Sequence, residues 1–203
     1  EDDNQLKNAY KVIMALVLSL SSLLMLTLLL IAKPLFFLLL GEKWMTSVPY
    51  FQILCIASMM LPIGTYNLNI LKVKGRSDLF LKVEVIKKII GTICLIIAIP
   101  FGIKAIVWSL CITNIFFAYL NGYFSGRLIK YFLFEQFKDS LKVISLAIIP
   151  AIVIYFTLVK SDYFTNNWLA IIIPGLLYLI SYLILILIFN RDLLIQYKKI
   201  LKR

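Results

Sequence analysis

The stretch KVKGRSDLFLKVEVIKKIIG, Lys72 to Gly91, decides how many times this chain crosses a membrane. It holds six Lys and Arg residues, and its last charges run directly into an apolar segment that starts at Ile89. Counted from Ile89 to Ile103, that segment has 15 residues, roughly 22 Å as a helix and short of a hydrocarbon core about 30 Å thick. The helix must therefore begin earlier, near Val83, with Glu84, Lys87 and Lys88 in its first two turns. At about 100° per residue these three share one face with Gly91, while Asp78 and Lys82 pair on nearly the opposite side. Glu84 to Lys88 has the favoured i,i+4 polarity, and Glu84 to Lys87 is within reach at i,i+3.

Outward from this stretch the chain is apolar. Of its 203 residues 62% are hydrophobic and only 15% charged, and the mean hydropathy is +0.96, too little polar surface to coat a soluble domain. Several runs reach the roughly 20 residues that a membrane helix needs, where a membrane strand would need only about 10 alternating ones. The fold class expected is all-α, a polytopic membrane bundle of six transmembrane helices. The spans fall at about 12–32, 48–71, 83–103, 105–125, 142–159 and 168–189. The first apolar run continues through Lys33-Pro34 as far as Leu40, 29 residues from Val12, so Pro34 predicts a kink or a short second helix. Gly41 ends it, and Trp44 in the GEKWMTS turn suits a membrane interface.

Flanking cations set orientation. Lys7, Lys11, the six from Lys72 to Lys88, the four from Arg127 to Lys142 and the five from Arg191 to Arg203 fall on one side, seventeen in all. Lys33, Lys43, Lys104 and Lys160 make four on the other. Both ends are thus expected in the cytoplasm. The opening EDDNQLKNAY lacks a basic leader and is not read as a signal peptide; Glu1 is read as a cut inside a longer chain. The tail RDLLIQYKKILKR, residues 191–203, suits either a short helix on anionic membrane lipids or a solvated topogenic tail.

The chain has no His, which removes His-dependent hydrolases, Ser-His intramembrane proteases, His-ligated metals and c-type haem. Cys55, Cys94 and Cys111 sit in apolar runs without a CxxC and read as packing residues. GYFSG at Gly122 to Gly126 is not a GxSxG nucleophile turn, and nothing would activate Ser125. No GxxxG lies within the spans, although Gly122 and Gly126 are four apart at the end of the fourth. No cofactor, metal site or catalytic residue is expected, and no nucleic-acid partner.

Three features rise above the apolar background. Lys82, Lys87 and Lys88 either snorkel to the headgroups and fix topology or face a cavity, and the net charge of +4 over the stretch suits a phosphate or diphosphate. In the fourth span Asn114, Phe117, Ala118, Asn121 and Ser125 recur on one face. That face is read either as interhelical glue or as a sugar-facing wall, since an amide both donates and accepts. The second span carries Gln52, Cys55, Met59, Pro62, Tyr66 and Asn69 along one stripe, with Pro62 as a candidate hinge.

The run LIAKPLFFLLLGEKWMTSVPYFQIL, followed by LKVKGRSDLFLKVEVIKK and YFSGRLIKY, resembles the C-terminal half of bacterial polysaccharide (O-unit) flippases of the multidrug/oligosaccharidyl-lipid/polysaccharide exporter superfamily. The resemblance is carried by Pro34, Gly41, Glu42, Lys43, Trp44 and Pro49, then Gly75, Arg76, Ser77, Asp78, Lys87 and Lys88, and finally Ser125, Gly126 and Arg127. It covers about residues 1–130 and fades in the last two helices. It implies a multi-pass protein of the bacterial inner membrane that moves an undecaprenyl-diphosphate-linked oligosaccharide by alternating access, without covalent chemistry. Residues 1–130 would be the second part of a C-terminal lobe, 140–190 two additional helices and 191–203 a basic tail, with a missing N-terminal lobe as partner. Arg76, Lys87 and Lys88 would attract the diphosphate, Glu84 would hold the lysines, and Asn114 and Asn121 would face the glycan. Two alternatives are weaker. A polymerase or ligase would bring a large extracytoplasmic loop, and the longest outer loop here runs only from about Lys33 to Ser47. A drug exporter would place an acidic residue deep in a span, and none is found beyond Glu84 near its end.

Overall fold

The computed structural model describes residues 2–160 and 168–189; the basic tail lies outside the described residues. Seven α-helices fill it: α1 (Asp2–Leu40), α2 (Val48–Ser58), α3 (Leu61–Val73), α4 (Ser77–Ala98), α5 (Ile103–Leu128), α6 (Leu133–Ile154) and α7 (Leu169–Phe189). A 3-10 turn (Glu42–Ser47) leads into α2, and a π turn (Tyr155–Val159) ends α6. The all-α bundle expected from composition is what these residues form. α1 packs on α2, α3, α6 and α7, and α5 packs on α2, α3 and α4, which leaves α4 at the edge.

Two local expectations are corrected. Of the kink or short second helix expected at Pro34, the second helix does not form: α1 is one helix from Asp2 to Leu40. The lost N–H bond there is one rung in a long ladder, and Leu30, Ile31 and Ala32 are buried just before it, so packing holds the helix across the gap. The second span is broken instead, at Met59–Met60, and Pro62 falls in the first turn of α3, where a missing N–H costs nothing. From α1, the buried Ser21 hydroxyl lies 3.1 Å from the Met59 carbonyl and donates to it at the break. The break also rotates the stripe: Asn69 is exposed, and Asn67 takes the buried position.

Five segments are long and apolar enough to cross a membrane: Gln5–Leu40, Glu42–Val73, Ile103–Leu128, Leu133–Val159 and Leu169–Phe189. This is the build of a multi-pass membrane protein. α4 is not among them, because Asp78, Lys82, Glu84, Lys87 and Lys88 fall in its first twelve residues. Its connections nevertheless bind it to its neighbours. Lys74–Arg76 and Ile99–Gly102 join it to α3 and α5, and segments of three or four residues reach at most about 14 Å. If α3 and α5 cross, α4 crosses between them.

The corner before α4 explains the GRSD motif. Gly75 takes φ +69, the left-handed conformation that glycine adopts without a Cβ penalty. The Gly75 and Arg76 amides then donate to the Lys72 and Leu71 carbonyls at 2.9 and 2.8 Å and close α3. Arg76 grips Asp78 through two hydrogen bonds of 3.1 Å, and the guanidinium beside Asp78 holds that carboxyl below its usual range.

One end of the bundle gathers charge of both signs. Lys7 and Lys11 of α1 lie 3.0 and 3.3 Å from Glu135 at the start of α6, and Lys11 lies 3.7 Å from Asp139. Tyr131, fully buried in the corner between α5 and α6, donates to Asp139 at 2.7 Å; burial and this carboxylate both push its phenol up. Farther along, Tyr178 and Tyr182 of α7 stack 5.9 Å apart and donate to the Ala147 and Ser19 carbonyls, tying α7 to α6 and α1. The charge partition gives a topology test for intact cells, with Cys55, Cys94 and Cys111 replaced. Cysteine at the exposed Ser77 should react only with membrane-permeant maleimide, and cysteine at Thr46 with the impermeant reagent. Swapped labelling would invert the assigned orientation.

Candidate functional site

α4 turns three of its five charged residues toward its neighbours. Leu81, Val85, Ile89, Ile93 and Ile96 are exposed on its outer surface, while Glu84, Lys87 and Lys88 face α3 and α5 across a cavity of about 240 Å³. Met60, Leu61, Gly64 and Thr65 at the start of α3 form a second wall, and Asn114, Phe117, Ala118 and Asn121 of α5 a third. Five of the six residues expected to bind substrate thus line one space: Glu84, Lys87, Lys88, Asn114 and Asn121. Arg76 is not brought there. It caps the far end of α4 on Asp78, 11 residues and roughly 16 Å from Lys87 along the helix.

Within the cavity the charges are not equivalent. Lys87 Nζ sits 2.5 Å from Glu84 Oε1 and 5.8 Å from the centre of the Phe117 ring, so this pair is locally neutral and anchored. Gly91, one turn farther on, also faces the Phe117 ring, and a Cβ there would lie 3.7 Å from it, an ordinary contact. Lys88 is exposed and has no ion-pair partner among the described residues. The net charge the cavity offers is therefore a single positive one, at Lys88. The other cations of the stretch are engaged elsewhere or face out: Lys72 lies over the Phe80 ring at 4.2 Å, and Lys82 is exposed.

The amide face divides. Asn114 is half-buried at the cavity wall, whereas Asn121 is 1% exposed. Asn121 Nδ2 donates to the Gly64 carbonyl at 3.0 Å, which fixes the amide's orientation, and its Oδ1 has no hydrogen-bond partner. Ser125, farther down the same face, donates to Asn67 Oδ1 at 3.1 Å and packs away from the cavity. Interhelical glue is thus formed at Ser125 and Asn121, while Asn114 and Asn121 also line the cavity.

Sequence reasoning missed the layer beneath. Gln136 of α6 is buried and donates to the Gly122 and Tyr131 carbonyls at 3.0 and 2.8 Å. It fits because Gly122 and Gly126 leave a notch: a Cβ on Gly122 would come 2.5 Å from Gln136 Oε1, and one on Gly126 2.8 Å from Gln136 Nε2. The spacing of those two glycines was the available signal.

The cavity leaves out Ser125, the hydroxyl on the amide face, which is engaged with Asn67 and the Gly122 carbonyl. Its volume corresponds to about eight waters, below the usual range for a drug-sized ligand. That is room for a small charged group and part of a neighbouring ring, with the rest of any large ligand outside the mouth. No family model, curated protein or solved structure matches the chain.

Proposed function

We propose that this chain is part of an O-unit flippase-like transporter of the bacterial inner membrane, which moves an undecaprenyl-diphosphate-linked oligosaccharide by alternating access for cell-surface polysaccharide assembly. Residues 1–130 belong to the second part of its C-terminal lobe, and α6 and α7 are its two additional helices. It makes and breaks no covalent bond. The observation that carries the reading is the convergence of Glu84, Lys87, Lys88, Asn114 and Asn121 on one cavity from two helices.

Charge supports the diphosphate. Lys88 offers three N–H donors at a depth where an unpaired ammonium is costly, and an oxyanion offsets that cost through charge-assisted hydrogen bonds. Lys87 supplies further donors while Glu84 orients it and limits repulsion between the two ammonium groups when the cavity is empty. The glycan beyond its first sugar lies outside the mouth, toward the partner lobe, where binding sites in such repeat-built transporters form.

The test is binding of farnesyl diphosphate, a short prenyl diphosphate, to the purified chain. Lys88→Gln should weaken it about tenfold or more, the value of one charge-assisted hydrogen bond, and Lys82→Gln should leave it unchanged. Equal affinity in wild type and Lys88→Gln would remove the diphosphate from this cavity.

A further inference from the structure

Asn121 carries a feature that binding of a phosphate does not use. Its Nδ2 is committed to the Gly64 carbonyl at 3.0 Å, an approach that the missing side chain of Gly64 permits and that sets the orientation of the amide. Oδ1 is therefore held in place as an acceptor, buried and without a donor. On the opposite helix Lys87 serves Glu84 and Lys88 is exposed, and neither donates to this oxygen. A buried acceptor left without a donor is unfavourable, and the cavity that Asn121 lines is the space from which a donor can come.

A bare prenyl diphosphate has only acceptors at its head in the ionised state. A sugar on that diphosphate brings O–H or N–H donors within one ring of the phosphates, the portion of ligand for which the cavity has room. We propose that Asn121 is a specificity-determining residue: its Oδ1 accepts a hydrogen bond from the first sugar and so separates a glycosylated carrier from an empty one. The proposal rests on the diphosphate reading given above. Lys88 holds the group common to both carriers, and Asn121 recognises the group that only the loaded one has. An unsatisfied polar site rejects a ligand that lacks the matching group more strongly than an apolar pocket does.

The experiment compares farnesyl diphosphate with farnesyl-diphospho-N-acetylglucosamine, each titrated into the purified chain. Wild type should prefer the glycosylated probe about tenfold or more. Asn121→Leu, which keeps the branching of asparagine but not the acceptor, should bring the two affinities within about twofold by lowering that for the glycosylated probe more than that for farnesyl diphosphate. Asn121→Ala, which adds no branch, serves in the same way should the leucine not fit, and thermal unfolding of both variants verifies the fold. A merely structural asparagine would lower both affinities together, and that outcome overturns the inference. So does a preference that survives both substitutions. If neither probe binds wild type, the inference falls together with the diphosphate reading; if both bind equally, the inference falls alone.

Discussion

Gly126→Val prevents the chain from reaching a stable fold, and even Gly126→Ala lowers its stability by about 3 kcal/mol, the upper part of the range for overpacking a tight site. The reason lies in what surrounds the position. A Cβ on Gly126 runs into the Tyr131 carbonyl oxygen and comes 2.8 Å from Gln136 Nε2. The first of these is backbone, and it cannot rotate aside, because the Tyr131 amide is itself bonded to the Gly126 carbonyl at 2.9 Å. Relief requires the corner between α5 and α6 to open, which takes Gln136 off two carbonyls and pulls buried Tyr131 from its place beside Tyr10. Gly91→Ala is the control. Its Cβ meets only the Phe117 ring at 3.7 Å, an ordinary contact, so the substitution is neutral or gains the roughly 0.5–1 kcal/mol that alanine holds over glycine in a helix. Thermal unfolding of the two alanine variants, with gel filtration of the valine one, measures the contrast. Similar midpoints for Gly91→Ala and Gly126→Ala would show that the corner yields freely.

Lys87→Ala combined with Lys88→Ala should reduce saccharide export at least tenfold in cells producing the transporter that contains this chain, at matched membrane abundance. Two ammonium groups disappear from one cavity, and each charge-assisted hydrogen bond is worth about 1.5–3 kcal/mol. Loss of positive charge as such is controlled by Lys198→Ala with Lys199→Ala in the basic tail. Either pair leaves fifteen of seventeen cations on their side, so orientation is kept in both. Equal export by the two double variants would make the cavity lysines anchors to the headgroups and nothing more.

What could be read in advance follows the range of the interactions. Helices, their order and the inward face of α4 depend on residues three or four apart, and Glu84, Lys87, Lys88, Asn114 and Asn121 were identifiable as two polar faces from that spacing alone. Arg76 was misplaced because its charge suggested a ligand, while its geometry is decided by Asp78 two residues on and by the Gly75 turn. Asn67 was missed because a stripe extrapolated from α2 continues to Asn69, and the break at Met59–Met60 resets the register. Gln136 is polar near the start of an amphipathic helix, where a solvated side chain is the ordinary expectation. Its burial depends on glycines 14 and 10 residues earlier in another helix, and no local period reports that. Pro34 was expected to kink α1 or to start a second helix on the strength of one missing bond, whereas the packing of the residues before it keeps α1 one helix.

The charged first half of α4 also bears on how the chain is made. A segment leaving the ribosome must partition between the translocon and lipid, and a lysine at mid-membrane raises that cost by about 2.5–3.5 kcal/mol on insertion scales. α4 carries three lysines and emerges before α5, which supplies Asn114 and Phe117 beside them. Alone it is a poor substrate for insertion. The four residues Ile99–Gly102 make the wait short, since α5 begins to emerge almost at once and can fold back on α4 as an antiparallel hairpin. Pairing with α5 is thus the route by which so charged a helix can be accommodated in a bilayer.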